Sequence, residues 1–256
     1  MTDEAESEAV RVERDHVVSD HLRVDTYRQE SAERAPVVVF VYGGGWESGA
    51  RGQFARWALD AASDGYLAVE VEYRLSDEAT FPAQIRDVRA CLSWVRDHAA
   101  ELGGDPNRVA VFGHSAGAHL ALLAALAPAG RFGEYDPEPT VHAAVGVSGL
   151  YDLREAESDI VRRFLGGARA EESERYDAAS PVAYVSADAP PTLLLHGEAD
   201  ETVPVASSEG LAGALDASGA AVRLRTDPGA DHVYLHSSYW YPEIRETVLS
   251  WLRDAL

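Results

Sequence analysis

Gly113-His114-Ser115-Ala116-Gly117 sets a serine between two glycines, where the β-branched run Val109-Ala110-Val111-Phe112 gives way to the apolar helical run Ala118 to Leu126. Five positions with three fixed recur by chance. A preceding strand and a following helix make this G-x-S-x-G a candidate nucleophile turn, with the serine oxygen exposed at a helix N-terminus. Glycines are needed at both flanks because backbone and neighbouring strand crowd such a turn.

A second cluster, Gly43-Gly44-Gly45-Trp46, follows the run Pro36 to Tyr42. Adjacent glycines let backbone N–H groups approach a ligand oxygen, as an oxyanion hole requires. Alone they would form a tight strand-to-helix turn. A phosphate cradle is the rival use, but neither G-x-G-x-x-G nor G-x-x-x-x-G-K-[ST] fits here.

A serine hydroxyl is a weak nucleophile until an imidazole takes its proton and a carboxylate orients that imidazole. Asp200 falls in the loop after the strand-like Pro191 to His196, and His232 in the glycine-bearing loop after Ala221 to Thr226. In so acidic a chain Asp200 has rivals. Asp231 is a poor one, because side chains adjacent in an extended turn diverge. Asp152, after the strand candidate ending at Ser148, is the serious alternative. His232 and His236 are four apart, as in H-E-x-x-H, but Val233 stands where that motif needs glutamate, which argues against zinc. His114 and His119 pack or hydrogen-bond within the turn and its helix, and His196 ends a buried strand.

The elements that must position these residues alternate as βα units. Strand candidates are Pro36 to Tyr42, Leu67 to Tyr73, Arg108 to Gly113, His142 to Ser148, Pro191 to His196 and Ala221 to Thr226. Helix candidates are Gln53 to Ser63, Pro82 to Leu102, Ser115 to Leu126, Ser207 to Ala217 and Tyr241 to Leu256. Val10 to Val18 and Leu22 to Tyr27 read as an antiparallel hairpin leading into the sheet. The class is α/β, with a mostly parallel central sheet flanked by helices. Residues 1–9 are expected to be a disordered acidic tail and residues 10–256 one domain. The stretch 149–190, with a helical run near Asp159 to Leu165, is expected to form a minimal cap at the C-terminal edge of the sheet.

Composition narrows the chemistry. The 256 residues are 46% apolar, enough for a buried core. One cysteine, Cys91, excludes an internal disulfide and thiolate metal clusters. The 22 basic residues are all arginine, so no P-loop, Schiff-base or serine-lysine chemistry is available. Against them stand 43 acids, a net charge of -21 that disfavours nucleic acid and anionic membranes. Acid excess without lysine suits a halophile, where salt screens self-repulsion. No signal peptide or membrane-spanning run is visible, so the expected compartment is the cytoplasm.

With these motifs in order, the chain resembles the α/β-hydrolases of the carboxylesterase and lipase superfamily. It is similar in particular to the small group of feruloyl and acetylxylan esterase-like proteins and arylformamidases. The resemblance runs from about Leu22 and includes Glu72-Tyr73-Arg74-Leu75, Phe81-Pro82-Ala83-Gln84 with Asp87, Ser180-Pro181, and His196-Gly197 leading to Asp200 and Val203-Pro204. It implies an α/β-hydrolase fold with Ser115 as nucleophile, Asp200 as orienting acid and His232 as base. The N–H groups of Gly44, Gly45 and Ala116 would form the oxyanion hole, and Trp46 and His114 would border the substrate pocket. Arg74 and Asp87 would form a supporting ion pair.

The implied activity is hydrolysis of short-chain carboxylic esters through an acyl-enzyme, with a small-molecule substrate and neither metal nor organic cofactor. Too few residues precede the first strand for an N-terminal helical cap, which points to acetate to butyrate esters. An arylformamidase with the same triad is the alternative, and a non-catalytic ligand-binding relative stands behind it. A homodimer is one option for assembly. One departure is visible: such relatives carry His-Gly-Gly-Gly, whereas Tyr42 holds the histidine position here and puts the loop's geometry in question.

Overall fold

The computed structural model describes residues 9–133 and 141–256. The expected N-terminal tail, Ala9 apart, lies outside them.

Among the described residues, eight strands form one sheet: β1 (Val10–Ser19), β2 (Leu22–Gln29), β3 (Ala35–Val41), β4 (Leu67–Val71), β5 (Gly104–His114), β6 (Ala143–Val147), β7 (Thr192–Gly197) and β8 (Val222–Asp227). Their order is β1-β2-β4-β3-β5-β6-β7-β8. The hairpin β1–β2 joins through an antiparallel β2–β4 pair, and every pair from β4 to β8 is parallel. The central strands are unbroken apolar runs because both their faces are covered: Val37 to Val41, Val109 to Phe112 and Leu193 to Leu195 are all buried. β5 starts at Gly104 rather than Arg108 because Ala35 pairs with Gly104 ahead of a register shift.

Among the described residues, seven helices flank the sheet: α1 (Ala55–Ser63), α2 (Ala83–His98), α3 (Ala116–Leu126), α4 (Asp159–Leu165), α5 (Arg169–Ala178), α6 (Ala206–Ser218) and α7 (Tyr241–Ala255). Most follow the apolar periodicity of the sequence. α3 has none, because Ala116 through Ala124 are buried all round between sheet and neighbouring elements. α5 was not foreseen: Arg-Ala-Glu-Glu-Ser-Glu-Arg-Tyr-Asp-Ala buries only Tyr176 and Ala178 and carries almost no apolar pattern. Parallel strands end together, so the loops after β3, β5, β7 and β8 emerge at one edge of the sheet, which is where ligands bind in folds of this kind.

Candidate active site

The turn from β5 into α3 is fixed by backbone crowding. A Cβ on Gly117 would sit 2.0 Å from the Val41 carbonyl oxygen, and one on Gly113 would sit 2.2 Å from the Gly117 carbonyl oxygen. Helix and strand approach this closely only without side chains. Ser115 takes a φ of 55°, and its N–H donates to the Val147 carbonyl (2.8 Å). Its hydroxyl makes no helix-capping bond. A non-glycine residue held in the left-handed region needs surroundings that over-determine it, and here they do.

The released hydroxyl meets His232. Ser115 Oγ lies 2.9 Å from His232 Nε2, and His232 Nδ1 lies 2.7 Å from Asp200 Oδ2. With Nδ1–H donating to the carboxylate, Nε2 is left to accept the serine proton. The other oxygen of Asp200 accepts the N–H groups of Thr202 (2.9 Å) and Val203 (2.8 Å). Burial alone would raise the Asp200 carboxyl, but the Val203 N–H and the His232 imidazole outweigh it and hold the group below its ordinary value. The Asp200 carboxylate is therefore ionised and fixed from both sides.

The rival acids lie elsewhere. Asp152 is engaged by its own neighbour Arg154 through Oδ1 (2.8 Å) and Oδ2 (2.6 Å), and Asp231 accepts the Val233 N–H. Both of their carboxylates are held by partners within two residues.

The glycine loop brings the donors. Gly44, Gly45 and Trp46 have φ of 133°, 62° and 61°. The Gly44 carbonyl accepts the N–H groups of Glu47 and Ser48, which closes a tight turn. Among the described residues, the N–H groups of Gly44, Gly45, Trp46 and Ala116 have no acceptor. Ala116 opens α3, so the helix dipole adds to the same electropositive corner.

Tyr42 fits the loop. Its hydroxyl donates to the Tyr73 carbonyl and the Tyr73 hydroxyl donates to the Tyr42 carbonyl, each at 3.0 Å, with the rings stacked at 4.4 Å. This reciprocal clasp joins the ends of β3 and β4 at the point where the loop departs. Burial pushes the Tyr42 phenol up to about 12, so it stays a donor throughout the neutral range. Beside it, the Gln53 side chain accepts the Gly43 N–H (2.8 Å).

Trp46 lines the cavity that opens at Ser115. Its indole N–H donates to His119 Nδ1 (3.2 Å), whose Nε2–H donates to the Ala179 carbonyl (2.6 Å). Burial lowers the His119 imidazole to about 4, consistent with this neutral donor-acceptor role. His114 does not border the pocket. It is 5% exposed, and its Nε2 bonds the His232 carbonyl at 2.8 Å. That bond keeps the ring packed beneath the His232 loop. Arg74 and Asp87 form a two-pronged ion pair (2.8 and 2.7 Å).

A mostly apolar cavity of about 110 Å³ opens at Ser115, Ala116, Gly45 and Trp46, closed by Leu150, Ile160, Val161 and Val203. A larger cavity of about 500 Å³, lined by Phe81, Arg86, Arg131 and Arg175 among others, contains no member of the triad. Size does not decide here, since of the two only the smaller cavity includes Ser115. Leu150, Ile160 and Val161 are not singled out by the sequence because isolated apolar residues read as core, and Val203 enters there only through the Val203-Pro204 motif. His196, read from the sequence as a strand end and as part of the His196-Gly197 motif, has its Nε2 2.9 Å from the Val203 carbonyl and 3.2 Å from Asp200 Oδ2, backing Asp200.

The sequence model of the family described as BD-FAE matches residues 24–215. Esterase LipQ of Mycobacterium tuberculosis is 38% identical over 213 residues, 78% of this chain and 51% of that protein. The chain thus spans about half the length of the curated relatives it matches. Two structures of Thermogutta terrifontis esterase 2 superpose closely. The propionate-bound form gives a TM-score of 0.80 at 27% identity, covering 98% of this chain and 95% of that one. The form phosphoramylated by tabun gives 0.81 at 26%, covering 97% and 96%. No helix among the described residues is long and apolar enough to cross a membrane.

Proposed function

Since the chain belongs to the BD-FAE family and has the α/β-hydrolase fold, we propose that it is a serine hydrolase of short-chain carboxylic esters. The observation that carries this reading is the unbroken path from Asp200 through His232 to Ser115, ending at a small apolar cavity. His232 takes the serine proton as Oγ attacks the ester carbonyl carbon. The carbonyl oxygen, now an anion, is received by N–H groups of the glycine loop and Ala116, each worth roughly 3 to 4 kcal/mol in a prearranged site. The imidazolium, stabilised by Asp200, then gives its proton to the departing alcohol. Water repeats the sequence on the acyl-enzyme and releases the acid.

The small volume of the cavity supports acyl groups of about two to four carbons. The propionate held by the Thermogutta enzyme is in keeping with that size. The net charge of -21 supports a small-molecule substrate rather than nucleic acid or an anionic membrane. A panel of p-nitrophenyl esters, acetylated xylose and N-formylkynurenine tests the reading. The expected result is the highest kcat/KM between acetate and butyrate, falling by octanoate. A preference for long-chain esters, or a much higher kcat/KM on N-formylkynurenine, would overturn it.

A further inference from the structure

Three residues on one face of α4 meet three consecutive residues of the glycine loop. Ile160 Cδ1 occupies the place where a side chain on Gly45 would begin, 2.2 Å from an ideal Cβ there. Phe164 stacks on Trp46 with centroids 4.4 Å apart and planes 11° from parallel. Arg163 grips the Glu47 carboxylate with Nε and with a terminal nitrogen at 3.0 Å. The positions 160, 163 and 164 fall on one side of a helix, so α4 sits on the loop as a unit. Ile160 also closes the cavity that opens at Ser115.

We propose that Ile160 sets the acyl length of the enzyme, and does so through the oxyanion loop as well as by filling space. The inference rests on the esterase reading above. An acyl chain longer than the cavity must displace Ile160. That residue presses on Gly45 and its helix is tied to Trp46 and Glu47, so the displacement pulls on the N–H groups that receive the oxyanion. Interactions lost only in the transition state lower kcat, whereas uniform loss of binding raises KM. The penalty for long acyl chains therefore falls in kcat, and both acylation and deacylation feel it because each passes through an oxyanion.

The test measures kcat and KM separately for p-nitrophenyl acetate, butyrate and octanoate with the wild-type chain, Ile160→Ala and Ile160→Phe. In the wild type, kcat should fall about tenfold or more from butyrate to octanoate while KM changes much less. Ile160→Ala should raise the octanoate-to-butyrate ratio of kcat about tenfold, and Ile160→Phe should lower the butyrate-to-acetate ratio by a similar factor. Ile160 lies on a short, half-exposed helix, and melting temperatures establish that the variants fold. Wild-type discrimination lying wholly in KM, or ratios unmoved in both variants, overturns the proposal while leaving acetate hydrolysis intact. Failure of the wild type to turn over acetate overturns the esterase reading and this inference together.

Discussion

The β5–α3 turn and the 150–190 segment both border the cavity at Ser115, and they are built in opposite ways. At the turn, backbone meets backbone, α3 is buried all round, and nothing larger than hydrogen fits at Gly117. In the 150–190 segment the helices are short, and α4 meets the glycine loop through side chains. Its ion pairs, among them Arg154–Asp152, Arg162–Asp159, Arg163–Glu47 and Arg169–Glu155, are largely exposed. Such pairs are worth about 0 to 1 kcal/mol each. The chemical step is placed where packing permits one geometry, and the substrate boundary where substitution costs little.

The contrast is sharpest in the triad. Ser115→Ala and His232→Ala should each lower ester turnover by about four orders of magnitude or more with the fold intact, since nucleophile and base act as a unit. Asp200→Asn should lose about as much, because the imidazole would be left in the wrong tautomer. Asp152→Asn should stay within about twofold of wild type, as expected of an exposed residue away from the reacting groups. A crippled Asp152→Asn with an active Asp200→Asn would reverse the acid assignment.

Gly117→Ala probes the turn itself. One added methyl against the Val41 and Tyr42 carbonyls should cost on the order of 3 kcal/mol, seen as a large fall in melting temperature. A comparable change on α4, such as Ile160→Ala, should shift the melting point far less. Equal destabilisation would erase the distinction between the two regions.

Tyr42→Phe leaves the ring stacking and strands the Tyr73 carbonyl, a loss of about 1 to 3 kcal/mol. If the clasp holds the oxyanion loop, kcat falls roughly tenfold while KM holds. A change in melting temperature with kcat unmoved would assign the clasp to stability alone. The smallest expected effect is that of salt. With -21 net charge, the melting temperature should rise by a few degrees, roughly 1 to 2 kcal/mol, between low and molar KCl. A flat or falling curve would remove the salt-adapted reading without touching the triad.

Much of this architecture was readable from local pattern. The parallel strands, the turn at Ser115 and the loops holding Asp200 and His232 follow from apolar runs ended by glycine and acid. What was not readable depends on contacts distant in sequence. Glu47 and Arg163 lie 116 residues apart, and neither periodicity nor motif links them. Ile160 reads as one more core residue until Gly45 is placed beneath it. The resemblance places His114 at the pocket. The His232 carbonyl, 118 residues away, instead holds its ring. Tyr42 looked like a defect because its partner, Tyr73, lies just past the end of a different strand.

The central claim is that Ser115 becomes the acyl carrier, and covalent trapping tests it most directly. The protein is exposed to paraoxon or a fluorophosphonate, and the adduct is located by intact-mass measurement and peptide mapping. One adduct per chain on Ser115, lost in Ser115→Ala and forming in step with the disappearance of esterase activity, is the predicted result. Full ester turnover in a chain that takes up no adduct, or an adduct on a different serine accompanying inactivation, would contradict it.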